Sequence, residues 1–206
     1  MPHDDRVDLI SEMEPEVVEK LMPLIAHAGK EQAVKGENRQ SLNNPLRLRR
    51  ALAAGVRVVV AHCASLGSDQ DEDHGRHGPQ VSSFSLFARL MGEARYEGRL
   101  FGDISAITLR NRQLSTLREL LERDDWHPRL LFGTDYPLPG ILPLVSLRRL
   151  AAEKMLPDTA VPVLEILREH NPLLFDLVLK RQLHAGRQRL AASIFETRRF
   201  FDRKPA

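Results

Sequence analysis

VRVVVAH, residues 56–62, is the stretch whose reading decides the fold. A continuous apolar run of this length, with three consecutive valines, suits a strand buried on both faces, as in parallel sheets covered by helices. Working outward, three more short runs have the same character: LMPLIAH (21–27), preceded by the helical pattern EPEVVEKL, GRLFGDIS (98–105) and PRLLFGTD (128–135). Helical patterns separate them. NPLRLRRALAAG (44–55) has Asn44 as N-cap, Pro45 in the first turn and Gly55 as the stop. Around 81–94, Val81, Phe84, Phe87, Leu90 and Met91 fall on one face, and in 111–123 Leu114, Leu117, Leu120 and Leu121 do the same. Beyond Asp135 the chain reads as helical throughout, and NPLLFDLVLKRQL (171–183) repeats the Asn-then-Pro start with Asn171 as N-cap. This βα repeat of about four strands, followed by C-terminal helices, predicts an α/β fold with a parallel sheet.

The bulk composition agrees. A chain of 206 residues with 42% hydrophobic and 28% charged residues can build a sizeable core and is not of the disordered class. We expect a single domain over 1–206 with a basic C-terminal tail at 196–206, and the polar loop SLGSDQDEDHGRHGPQ (65–80) as the longest irregular piece. A formal charge of +2 gives no push toward nucleic acid. One cysteine excludes an intramolecular disulfide framework and fits a reducing compartment. No apolar run reaches membrane-spanning length, and MPHDDRVDL lacks the apolar core of a signal peptide, so a cytoplasmic protein is expected, with neither membrane nor nucleic acid as partner.

Three of the strands end in groups able to ligate a metal or move a proton: His27 in LIAHAG, His62 in VVAHCAS and Asp135 in FGTDYP. In parallel α/β folds the carboxyl ends of the strands share one face, where catalytic groups collect. Imidazole and carboxylate suit zinc and similar divalent ions, which generate hydroxide near neutral pH. The side chains of His27, His62 and Asp135 are therefore expected to converge on one pocket.

PLIAHAGKEQAV, NNPLRLRRALAAGVRVVVAHCASLG, GRLFGDISAIT and RLLFGTDYPLP occur in this order. Together they resemble the second half of an amidohydrolase-related metal-dependent hydrolase, a (β/α)8 barrel of the amidohydrolase superfamily. The resemblance covers roughly residues 15–200, with H-C-A-S-x-G and F-G-T-D-Y-P its most specific parts. It implies that His27, ending the fifth strand of such a barrel, ligates the metal, and that His62, ending the sixth, binds a second metal or polarises the substrate. It also implies that Asp135, ending the eighth, binds metal and shuttles the proton of the attacking water. GRLFGDIS would be the seventh strand, where Asp103 and Ser105 are candidates to orient substrate with no firm role implied.

The family's first strand carries an H-x-H motif, and none of the eight histidines here is separated from another by one residue. With four strands rather than eight, the resemblance implies a partial TIM-type barrel whose first half is missing, with open edges that invite self-association or a homo-oligomer. The expected function is a metal-dependent hydrolase, with a divalent ion (zinc) activating water for attack on a small-molecule amide, ester or lactone, or a related decarboxylation. The alternative is a non-catalytic truncated remnant or a protein-binding half-barrel.

Other features read as structural. Asp69, Asp71, Asp73, His74 and His77 lack calcium-loop spacing and read as a solvated acidic loop. Lys30 and Glu31 read as exposed loop residues. Cys63, next to His62 on a strand, is expected to point away from it and pack as a small hydrophobe. Trp126 and His127 are expected to cap the far end of the last strand, Arg110 and Arg112 to be exposed at a helix start, and Phe195, Phe200 and Phe201 to pack rather than bind nucleic acid.

Overall fold

The computed structural model describes residues 23–30, 43–75 and 77–202, without the side chain of Arg199. The expected helix EPEVVEKL, Glu31 and the end of the basic tail lie outside these residues. The chain forms two compact units, residues 1–103 and 104–206.

The first unit is built on parallel strands. β1 (Leu24–Ala26) pairs with β2 (Val58–Val60). Between them Asn44 caps a turn of tight helix, its side chain accepting from the Leu46 N–H at 3.0 Å. That turn runs into α1 (Arg49–Ala53), and Gly55, at φ 87°, ends it. Each fully buried valine of β2 contributes about 1.5–3 kcal/mol relative to an exposed one.

The stretch 65–80, expected to be irregular, is instead an antiparallel ribbon of β3 (Ser68–Gln70) and β4 (Gln80–Ser82). Two of its acids are not solvated either, whereas Asp73, His74 and His77 are exposed as expected. Asp69 and Asp71 are buried, and arginines from outside the ribbon hold the turn. Arg89 donates to Asp71 and, at 2.7 Å, to Asp73, while Arg49 pairs with Asp73 and reaches Glu93 at 2.8 Å. α2 (Ser83–Met91) follows, capped by Ser82, whose hydroxyl accepts from Ser85 N–H. Phe84, Phe87, Leu90 and Met91 are buried along it as expected, but Val81 belongs to β4 and not to the helix. β5 (Leu100–Asp103) then pairs parallel to β2.

The register places Ala26, Val60 and Gly102 level with one another. His27, Ala61 and Asp103 therefore leave the sheet at the same edge.

In the second unit, α3 (Leu114–Glu122) buries Leu117, Leu120 and Leu121. Trp126 is fully buried with the Arg123 guanidinium 4.0 Å above its ring, and the His127 ring meets the Leu120 carbonyl at 3.0 Å. Both sit just before β6 (Leu130–Leu131), in the structural role expected of them. The four expected strands are thus present at their places, each shorter than its apolar run.

After β6 come α4 (Leu147–Ala152), α5 (Val161–His170) and α6 (Pro172–Gln182), the last capped by Asn171. The chain does not stay helical. β7 (His184–Ala185) and β8 (Gln188–Arg189) form a hairpin across Gly186, at φ 61°, before the short α7 (Arg198–Phe201). Phe195 packs its ring 5.3 Å from that of Phe132, and Phe200 and Phe201 lie edge to face. Arg112 is buried, not exposed as expected, and Arg149 donates to the Arg110 carbonyl at 2.8 Å. Among the described residues no helix is long and apolar enough to cross a membrane.

Candidate functional site

The edge where β1, β2 and β5 end together carries the candidate site. His27 follows β1 directly. Its ring lies 5.3 Å from that of His62, centroid to centroid, at an interplanar angle of 61°. His27 is exposed and His62 is buried, so one imidazole faces solvent and the other lies behind it.

His62 gets there by an unusual backbone. After β2 the chain does not continue as a strand: His62, Cys63 and Ala64 take φ values of 54°, 51° and 50°. Three successive non-glycine residues in the left-handed region cost roughly 1–3 kcal/mol each, and such strain concentrates at functional sites.

Asp103, the last residue of β5, meets this turn three times. Its Oδ2 accepts from the His62 N–H at 3.4 Å and lies 3.8 Å from His62 Nδ1. Its carbonyl accepts from the Cys63 thiol at 3.3 Å. At 3.8 Å from Nδ1 the carboxylate acts on the ring as a nearby negative charge. The sequence leaves Asp103 as a candidate to orient substrate with no firm role; the structure sets it against the His62 turn. The parallel register was the signal that could have found it.

Cys63 is fully buried, as expected, although for another reason: residues 62–63 form a left-handed turn, so strand alternation does not apply. Burial, and then the neighbouring Asp103 charge, push its thiol well above the usual range, so it is no nucleophile.

Behind the two histidine loops lies a second group. Lys30 is no free loop residue: its ammonium sits 3.1 Å from Asp69 Oδ1, and the Ser83 hydroxyl donates to Asp69 Oδ2 at 2.7 Å. The Lys30 N–H donates to the Leu66 carbonyl and that of Gly29 to the Asn43 carbonyl.

Asp135 belongs to the second unit. It is half-buried at φ 56°, and its carbonyl accepts from the Leu138 N–H at 3.0 Å. The Tyr136 N–H donates to the Thr134 hydroxyl, and the Tyr136–Pro137 peptide is cis. Beneath this loop, Lys180 is fully buried, paired with Asp176 at 2.6 Å and donating to the Gly133 carbonyl at 2.8 Å.

For a metal, the chemistry of the donors decides. A catalytic zinc takes three protein ligands. Among the described residues no group of three or more His, Cys, Asp or Glu side chains could hold an ion. The His27–His62 pair supplies two donors, so the donor set does not by itself fit a zinc centre. No family model, curated protein or solved structure matches the chain.

Proposed function

We propose that the chain is a hydrolase of the amidohydrolase type, acting on a small amide, ester or lactone at the His27–His62 pair. The architecture that goes with it is a partial (β/α)8 barrel, in which β1, β2, β5 and β6 stand for strands five to eight. The observation that carries the reading is the imidazole pair at 5.3 Å on the shared strand edge, one ring exposed and one buried.

In this reading His62 Nε2 takes a proton from water as the water oxygen bonds to the substrate carbonyl carbon. The Asp103 carboxylate facing Nδ1 stabilises the imidazolium that forms. The exposed His27 donates a hydrogen bond to the carbonyl oxygen as it gains negative charge. Collapse of the tetrahedral species breaks the bond to the leaving group, which takes the proton back from His62. A divalent ion, when bound, supplies Lewis-acid polarisation. Two imidazoles fall short of its donor set, and no step here runs through it. The resemblance gives the proton to Asp135 instead, and that assignment is the alternative to His62.

The test is a panel of activated esters, lactones and anilides, assayed with and without added Zn²⁺. Turnover that disappears in His27→Ala supports the reading, and an inert wild-type chain across the panel rejects it. The shortage of metal donors among the described residues favours a second reading, a non-catalytic chain or a half-barrel that binds protein. Light scattering on the size-exclusion peak separates those two: self-association supports the half-barrel, a monomer the non-catalytic chain.

A further inference from the structure

Nothing in the hydrolytic reading uses Asp69, yet it is a buried carboxylate with both oxygens engaged. Ser83, itself fully buried, holds Oδ2, and the Lys30 ammonium holds Oδ1. A buried carboxylate is costly to desolvate, and a pair of this kind is weak evidence for stability alone. Its position suggests another use. Lys30 lies three residues after His27, and Asp69 lies seven residues after His62, so their contact joins the loops that carry the two imidazoles.

The surrounding backbone is fitted to that contact. Lys30 N–H donates to Leu66 O at 3.0 Å, and Ser83 N–H to Gly67 O at 3.1 Å. Gly29 has φ +85°, and a Cβ there would sit 2.6 Å from the Leu66 carbonyl oxygen. Gly67, at the same φ, leaves space that Lys30 fills: a Cβ would fall 2.5 Å from the Lys30 Cβ. Both glycines therefore allow the close approach of HAGK and SLGSD.

We propose that Asp69 is a positioning residue for the imidazole pair: by gripping Lys30 and Ser83 it sets the separation of His27 from His62. The proposal rests on the hydrolase reading for its purpose but not for its geometry. Asp69 touches neither ring and acts only through the loops. With its charge removed, the Lys30 ammonium loses its anchor, the His27 loop is left with its backbone bond from Lys30 N–H to the Leu66 carbonyl, and the rings part.

The experiment is proton NMR on the full chain with labelled histidine, reading the cross-peak between the His27 and His62 rings in wild type and Asp69→Asn. The expected result is loss of that cross-peak with shifted His27 ring signals, while His127 and His170, in the other unit, keep their positions. An unchanged cross-peak in folded Asp69→Asn overturns the proposal. Should Asp69→Asn fail to fold, Lys30→Met leaves the Ser83 hydrogen bond in place. A weakened cross-peak is then expected, and an unchanged one again overturns it. No substrate enters the measurement. A wild type without turnover would leave the Asp69 result standing, and an undisturbed ring pair would leave the hydrolase reading standing.

Discussion

A carboxylate beside a buried imidazole favours the positive charge the ring acquires on taking a proton. Asp103 stands in that relation to His62, with its Oδ2 also held by the His62 N–H. Asp103→Asn keeps the shape and removes the charge, so we expect hydrolysis to fall by roughly 10²-fold, within the range that general acid–base groups contribute. Kinetics at neutral pH would check this, and an unaltered rate would remove Asp103 from the mechanism. Cys63 makes a contrasting case. Burial raises its thiol, so a thiol reagent at neutral pH should label native protein far more slowly than protein in denaturant. Equal labelling rates would show the turn to be open. At this scale the sequence was partly legible: the two histidines stood at strand ends, but the left-handed turn that sets His62 in place left no mark in AHCAS, which contains no glycine.

Among the elements, the β3–β4 ribbon depends most on charge. Arg89 beside Asp71 lowers that carboxyl from its ordinary 3.8 to about 2, and Arg49 with Arg89 pushes Asp73 down further. A depressed folded-state value stabilises the protein above the unfolded pKa, so the contribution is complete above about pH 4 and is lost as pH falls toward 2. Asp71→Asn should therefore lower the thermal midpoint at pH 7, and its difference from wild type should shrink toward nothing near pH 2, as scanning calorimetry would show. Lys180 gives a second prediction. Lys180→Met leaves the buried Asp176 carboxylate without its ammonium and should cost about 3–5 kcal/mol. The Lys180→Met/Asp176→Leu double variant should recover most of it, as read by denaturant titration of Trp126 fluorescence in the same unit. The four strands and the Asn44 and Asn171 caps were legible because apolar runs and cap residues are local signals. The two hairpins were not, since their strands carry polar residues on both faces and no alternation betrays them. Arg49 and Arg89 lie too far in sequence from Asp73 for the ribbon's ion pairs to be read.

On the scale of the whole molecule, the α/β class follows from the runs of valine and leucine, and the chain resolves into two compact units. The proposed hydrolytic centre lies wholly in the first: His27, His62 and Asp103 lie at or just beyond the ends of three parallel strands in register. Trp126, the one tryptophan, lies in the second, so its fluorescence reports the integrity of that unit while chemistry is measured in the other. Asp135 lies in the second unit, and Asp135→Ala separates the two proton carriers: unchanged turnover with an unchanged Trp126 signal is expected if His62 moves the proton, and lost turnover would give that role to Asp135. The central claim is that His62 moves the proton. Its most direct test is the rate of hydrolysis of one activated ester by wild type and by His62→Ala, at neutral pH, with circular dichroism confirming that both are folded. The account predicts a fall of roughly 10²-fold or more in kcat. Equal rates in the two proteins would contradict it.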